Sequence, residues 1–442
     1  MIRLLFIYIL LFCFSAAKAQ EKPGVDRNQL RFNLDSSGNR FIKATLINQV
    51  WVRFNQNNPG SQQFGYDLPA NSFDVGIRRL RFQLFGQLTD RVFFYSQFGM
   101  NNFSVSSPRF SGAFFHDAAL EYKVKERYLS IGAGLSSWGG YLRMSAPAVG
   151  GILGIDAPLY QQATNSTTDQ FLRKLGVYAK GKIGKLDYRV MLASPMAPQN
   201  SPSPLSPIGP RSNFSLRPAH AQIQSYISYQ FFDEESNLLA FNTGTYSGKK
   251  RVFNIGAGFV NQAHAMWHRN ADGDTVTSTM TLFGADVFYD APLNTEKGTA
   301  ISVYAAVSGN EFGPGYLRNN NAMNIANSVN NPANLGGPGN AFPMLGTGST
   351  AYLQAGYKFR NNLLPDGGTL TPYASVQHSR FKSLPEHMNV YELGLNWLIH
   401  GSNLNKITLG IQNRPVYTAG ALGAAYESGR RNQVVVQFQA GL

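Results

Sequence analysis

The sequence predicts an all-β fold: a transmembrane antiparallel β-barrel of sixteen strands, with short turns at one end and long loops at the other. Three observations lead to this prediction. Apolar and polar residues alternate along many segments of about ten residues, the length that a tilted strand needs to cross a bilayer. The connections between these segments are alternately short and long. The chain begins with an apolar run typical of exported proteins, and only 14% of its residues are charged.

The first nineteen residues have the features of a secretory signal peptide. Arg3 supplies a positive charge, Leu4 to Phe14 form the apolar run, and Ala17-Lys18-Ala19 fits the small-x-small cleavage rule. The run is too short for a transmembrane helix. We therefore expect 1–19 to be removed and the mature protein to be exported. The only cysteine of the chain lies within this segment.

The alternation has a period of two, which is typical of β-strands. In 41–54, for example, Ile42 and Val50 share one face, and Lys43 and Arg53 share the other. A soluble β-sandwich also alternates, but the polar faces here carry Arg, Lys, Gln, Asn and Gly, which suit a wet lumen better than a dry core. The sixteen predicted strands are 41–54, 75–88, 91–103, 114–124, 128–137, 171–182, 185–193, 219–231, 251–262, 278–290, 299–311, 349–360, 369–382, 390–400, 405–413 and 431–442.

The connections divide between the two ends of the predicted barrel. Thr89-Asp90, Lys125-Glu126-Arg127 and Ile183-Gly184 are tight turns at the periplasmic end, whereas 138–170, 194–218 and 312–348 are long external loops. Closure of the barrel is required because an open strand edge in lipid leaves backbone groups unpaired.

Two segments need separate interpretation. Residues 237–247 have the composition of a further strand, but including them would make the count odd, so we interpret 232–250 as a structured periplasmic connection. Eighteen strands is the alternative count. Residues 20–40 are interpreted as a periplasmic lead-in, which assigns 41–442 to the barrel.

Five short stretches share one pattern: Arg78–Gly86 (RRLRFQLFG), Asp117–Tyr122 (DAALEY), Ile131–Gly139 (IGAGLSSWG), Leu175–Gly181 (LGVYAKG) and Leu186–Arg189 (LDYR). They resemble the phosphate-selective porin O/P family of Gram-negative outer membranes. The resemblance implies a sixteen-strand barrel, usually a homotrimer, that passes small anions. The chain departs from the family at Ser136-Ser137, where many relatives carry a lysine.

Mid-strand cations are expected to face the lumen, because a lipid-facing Arg or Lys near the midplane costs about 2–4 kcal/mol. Rings of basic side chains are a standard device of anion pores. Arg79 and Arg81 are the strongest candidates, whereas Arg78 falls on the apolar face and is expected to snorkel to the interface. Each cation has an alternative structural role, as a partner of a lumen acid. The predicted pore-lining, anion-attracting residues are Lys43, Arg53, Arg79, Arg81, Lys123, Arg143, Lys180, Lys182, Arg189, Lys358 and Arg360.

Acids are also expected in the lumen, namely Asp187, Glu121, Asp286 and Glu392. Loop 138–170 is long and contains an apolar stretch, so it is a candidate constriction that folds into the barrel mouth and presents Arg143. Packing of this loop at a subunit interface is the alternative.

The sequence favours a porin in the outer membrane, with passive diffusion of small hydrophilic solutes and a preference for anions, phosphate among them. The expected partners are outer-membrane lipid and small anionic solutes. The alternative is a non-conducting barrel that acts as a scaffold, adhesin or secretion-system partner. A lipid hydrolase is a third possibility, but we find no persuasive Ser–His pair. We therefore predict no enzymatic activity.

Other ligand classes have little support in the sequence. His264 and His268 are four residues apart but lie in or beside a loop, and Asp272-Gly273-Asp274 lacks the later ligands of a calcium loop. No cofactor or metal site is predicted. Basic residues alternate with apolar ones and do not form runs, which argues against nucleic acid as a partner.

Overall fold

The computed structural model describes residues 30–198, 208–419 and 425–442. The predicted signal peptide lies outside them. Sixteen strands form one closed antiparallel ring, which confirms the predicted fold class. The ring closes where Ile47 to Asn55 of the first strand pair with Gly441 to Gln433 of the last. The strands are β1 Phe41–Gln56, β2 Asn71–Gln87, β3 Val92–Phe103, β4 Phe114–Lys125, β5 Leu129–Ser136, β6 Lys174–Ile183, β7 Leu186–Ser194, β8 Gln222–Gln230, β9 Val252–Arg269, β10 Thr275–Asn294, β11 Thr299–Glu311, β12 Gly348–Lys358, β13 Thr369–Phe381, β14 Met388–Leu398, β15 Lys406–Ala419 and β16 Ala425–Gly441.

Every predicted strand corresponds to one of these strands. The hydrogen-bonded sheet reaches eighteen members only because two short pieces, Arg31–Asn33 and Asn213–Phe214, extend it at its margins. The connection 231–251, between β8 and β9, contains no barrel strand, as predicted. Within the described residues, no helix is long and apolar enough to cross a membrane.

The N-terminal lead-in protects an otherwise open edge of β1. The last strand pairs with Ile47 to Asn55 of β1, and Leu442 exchanges backbone hydrogen bonds with Leu46, so this pairing does not include the first residues of β1. Arg31–Asn33 pairs with this exposed edge from Phe41 to Lys43. The pairing satisfies backbone groups that an unprotected strand edge would leave open.

The outer face of the wall is a band of exposed apolar side chains. Leu120 on β4 and Leu393 on β14 are 64% and 63% exposed, and Val177 on β6 is similarly prominent. Their strand neighbours Glu121 and Tyr178 point inward and are buried. Apolar side chains outside and polar ones inside are the pattern of a barrel that spans a membrane.

Three segments fold into the barrel and fill much of its interior. They are the loop 137–173 between β5 and β6, here called the inserted loop, the connection 231–251 and the loop 312–347 between β11 and β12. Their apolar side chains pack in buried clusters with inward-facing residues of the wall. The apolar side chains of the connection 231–251 pack mainly against β2, β3, β6 and β7. The sequence predicted entry of the inserted loop as one of two alternatives and did not predict entry of the other two segments, because a segment's partners on a distant wall leave no local pattern.

Candidate functional site

The inserted loop is seated on inward-facing glycines of the wall. A Cβ atom on Gly410 would lie 2.2 Å from Ile155, and one on Gly356 would lie 2.9 Å from Leu153. Protein interiors are packed so closely that a side chain at either wall position has no free space. The three pairs of wall glycine and loop side chain are Gly284 with Leu142, Gly356 with Leu153 and Gly410 with Ile155.

Two arginines of β2 hold the middle of the inserted loop. Asp156 accepts hydrogen bonds at 2.5 Å from both Arg78 and Arg79. Burial alone would raise the pKa of Asp156, but the two guanidinium groups outweigh it and the pKa lies below its usual value. The loop is therefore fixed to the opposite wall by a charged pairing that is stable at neutral pH.

The position of Arg78 corrects the expectation that it snorkels toward the membrane interface. The register between β1 and β2 shifts between Gln49 and Val50, so that Arg79 pairs with Gln49 and Ile77 with Val50. Such a bulge changes which face the following residues occupy. Two adjacent arginines thus both point into the barrel, which strict alternation does not allow.

A second ion pair joins the inserted loop to the connection 231–251. The Arg143 guanidinium binds both carboxylate oxygens of Glu235, at 2.6 and 2.5 Å, and lies 3.8 Å from the ring centre of Phe288. Tyr246 also donates to Glu235 at 2.7 Å. Burial raises the pKa of Glu235, but the charge and hydrogen bonds of Arg143, together with the Tyr246 hydrogen bond and the charge of Lys250, outweigh burial and lower the pKa overall. Arg143 is in the barrel, as the loop prediction required, but it is buried in this clamp.

The backbones of the two segments also meet. Asn242 donates its N–H to the carbonyl of Ala146 and accepts from the N–H of Ala148, both at 2.8 Å. The connection 231–251 thus supports the inserted loop from the short-turn end of the barrel.

Three predicted cations of β6 and β7 bind the connection 231–251. Lys180 donates to the carbonyl of Asn237 at 2.7 Å and pairs with Glu121 at 2.9 Å. Lys182 donates to the carbonyl of Glu235. Arg189 donates to the carbonyl of Ala240 at 2.8 Å. These residues face inward as predicted, and their donors hold the segment that fills the lumen.

Arg53 and Arg81 illustrate two different environments. Arg53 is fully buried, pairs with Asp74 of β2 and donates to the carbonyl of Met323 in the loop 312–347. Arg81 instead donates to two neutral amides, Gln97 at 2.9 Å and Asn101 at 2.6 Å. No carboxylate in the described residues forms an ion pair with Arg81. Its guanidinium group is therefore held by amides, and the Asp117 carboxylate, which pairs with Arg173, acts on it only through a longer-range electrostatic interaction.

The remaining predicted cations lie near the short-turn end. Lys43 faces inward on β1 and is half-buried, and Lys123 is 3.8 Å from Glu126 in the next turn. Lys358 donates to the carbonyl of Gly298 at 3.0 Å. Arg360 lies two residues beyond the end of β12 and is exposed, so the prediction of a lumen-facing strand position is corrected.

Several buried cations were not predicted. Arg173 pairs with Asp117 at 3.0 Å, Lys406 donates to the carbonyl of Ile152 at 2.5 Å, and Arg414 binds Asn58 at 2.6 Å. Lys406 and Arg414 occupy inward positions of β15, and the same alternation that selected Arg53 extends to them. Arg173 was inside the predicted strand 171–182 but was not selected as a lumen cation, and it lies just before the observed start of β6.

Comparisons with known proteins give only distant structural similarities. No protein-family model matches the chain, and no curated protein matches it. Among solved structures, OprB of Pseudomonas putida aligns at 10% identity and a TM-score of 0.49, covering 91% of this chain and 94% of that one. OmpF of Salmonella typhi, in complex with daunomycin, aligns at 11% identity and a TM-score of 0.49, covering 92% and 99%. The outer membrane channel DcaP of Acinetobacter baumannii aligns at 13% and 0.46, covering 92% and 99%. Similarities this low carry no functional conclusion.

Proposed function

We propose that the protein is a channel of the Gram-negative outer membrane through which small hydrophilic solutes diffuse passively. The observation that carries this proposal is the closed wall of sixteen strands, apolar outside and lined inside by charged and amide side chains. Sixteen strands enclose enough space for an aqueous path. An exported barrel with an apolar outer face and a polar interior requires a membrane around it and water at its two ends.

The three inserted segments make such a channel narrow. Their ion pairs and packing occupy space that an open barrel of this size leaves to water. We therefore expect a small conductance. The same observation favours a second candidate, a non-conducting barrel that serves as a scaffold, adhesin or secretion-system partner through its loops.

A preference for anions is part of the proposal and rests on an excess of positive charge. Among the buried side chains of the described residues, thirteen are Lys or Arg and eight are Asp or Glu. Arg81 is one of the cations that contribute to this excess, because its hydrogen-bond partners are neutral. One charge at about 6 Å from a permeating anion in water is worth about 0.7 kcal/mol, a factor of about three in permeability.

The resemblance to the phosphate-selective porin O/P family, and with it a homotrimer and phosphate as a solute, belongs to the same proposal. The sequence motifs named above support it. Removal of 1–19 on export and insertion into outer-membrane lipid complete the proposed route. Diffusion through a channel involves no chemical step, and so we propose no enzymatic activity.

Planar-bilayer recordings test the proposal. Purified, correctly folded protein is expected to give small, stable conductance steps with a reversal potential displaced toward the anion equilibrium value. In Arg81→Gln the ratio of anion to cation permeability is expected to fall about threefold. Arg360→Gln serves as the control, because its side chain lies in an exposed turn.

Two outcomes contradict parts of the proposal. If folded protein gives no steps in any salt, the barrel is non-conducting and the second candidate is favoured. If steps occur but Arg81→Gln leaves the permeability ratio unchanged, the channel stands and Arg81 is removed from the path.

A further inference from the structure

A cavity of about 60 Å³ remains between the inserted loop, the loop 312–347 and the inner wall formed by β12 to β16 and β1. About 10–15 Å³ of such space accommodates one water molecule, so the cavity has room for several waters or one small solute. Its polar lining includes Glu392, Gln412 and Gln433, and its apolar lining includes Trp51 and Phe342. No Lys or Arg lines it.

Glu392 provides a hydrogen-bond acceptor to this cavity. Its carboxylate receives the backbone N–H of Ile155 at 3.0 Å, which fixes one oxygen against the inserted loop. No ion pair involves this carboxylate in the described residues. The group keeps acceptor capacity for a ligand.

Gln433 provides a hydrogen-bond donor. It is 4% exposed, and its side-chain nitrogen has no partner in the described residues. Its carbonyl oxygen accepts from Asn340 at 3.4 Å. A buried donor without a partner carries a free-energy cost that a suitable ligand removes. Gln412 is arranged in the same way. Its side-chain carbonyl oxygen accepts a hydrogen bond from Asn321 at 2.8 Å, which leaves its amide nitrogen as a donor.

We propose that this cavity is a binding subsite for a neutral, hydroxyl-rich solute, a small polyol or sugar. A hydroxyl group donates to a carboxylate and accepts from an amide N–H at the same time, which matches both groups. An anion would face the Glu392 carboxylate, and a bare cation would leave the Gln433 donor unused. The apolar walls of Trp51 and Phe342 suit the C–H faces of such a solute.

The inference goes beyond the proposed function, because binding at this subsite does not depend on conduction. Xylitol and glycerol are the probes, titrated into the full-length protein in detergent. Trp51 is one of four tryptophans and lines the cavity, so binding is expected to change tryptophan fluorescence with saturation. The change is expected to disappear in Trp51→Phe, which retains the apolar wall.

Two variants address the polar groups. Glu392→Gln and Gln433→Leu are each expected to weaken xylitol binding about tenfold, as expected when one buried hydrogen bond is lost. Glu296→Gln, in an exposed turn, is the matched control and is expected to bind as the wild type does. Two variants on different strands keep the test valid if one of them fails to fold, which circular dichroism reports.

A linear, unsaturated fluorescence response in the wild type overturns the inference, and so does binding that both variants retain. Competition by sodium phosphate at constant ionic strength also overturns it, because the site would then prefer anions. Bilayer conductance is measured on the same preparation. Conductance without saturable binding rejects only the subsite, and binding without conductance rejects only the channel.

Discussion

The outer and inner faces of this barrel differ in what determines which side chains they accept. The outer face meets one uniform solvent, so any apolar side chain at an outward position satisfies it. The inner face meets three particular segments of the same chain, and each contact needs a particular partner, such as Glu235 for Arg143 or Gly410 for Ile155. Substitutions outside should therefore depend on polarity alone, whereas substitutions inside should depend on the identity of the partner.

The largest effect is expected where a buried charge loses its partner. Arg143→Met leaves Glu235 buried without its cation and should lower the free energy of unfolding by about 3–5 kcal/mol. The double variant Arg143→Met with Glu235→Gln should lose less, because no uncompensated charge remains. Urea unfolding in detergent measures both. Equal losses for the single and double variants would contradict the claim that the pairing decides the cost.

On the outer face, the expected penalty arises from the membrane. Leu120→Arg places a charge at one of the most exposed apolar positions and should cost about 2–4 kcal/mol if Leu120 lies near the midplane. Glu126→Arg, in the exposed turn after β4, is the control and should be near neutral. The measurement is unfolding from lipid vesicles. An equally large cost for Glu126→Arg would show that lipid around the outer face is not the origin of the penalty.

A smaller effect is expected at the glycine contacts of the inner wall. Gly410→Val drives a side chain into Ile155 and should cost about 1–3 kcal/mol, the usual range for overpacking. The neighbouring outward substitution Leu409→Val should change stability less, because only lipid faces it. Ile155→Ala combined with Gly410→Val should recover part of the loss, which denaturant midpoints report. Additive losses in that pair would contradict direct contact.

The sequence predicted the outer face well and the inner face in part, and the physical reason is the same in both cases. The alternation of apolar and polar residues shows which face of a strand meets lipid and which meets the lumen. It therefore located the sixteen strands and the inward direction of Arg79, Lys180 and Arg189. It could not report which acid each base would meet. The bulge that turns Arg78 inward also breaks the period on which the prediction depended. Entry of the connection 231–251 depends on contacts with distant wall residues, and no local pattern encodes these.

Acidification probes the same inner face without a substitution and should have the smallest effect near neutral pH. The folded-state pKa values of Glu235 and Asp156 lie below their ordinary values of 4.5 and 3.8. The unfolded chain therefore binds more protons as pH falls, and the stability from these pairs is present above about 4.5 and lost below it. The unfolding midpoint should not change with the titration of these two groups from pH 8 to about 5, and it should decline below that.

In Glu235→Gln the decline should be shallower, since one of these two titrating carboxylates is absent. An identical acid profile in wild type and variant would show that the clamp does not contribute to acid sensitivity, and that the inner face resembles the outer one in lacking essential charge pairs.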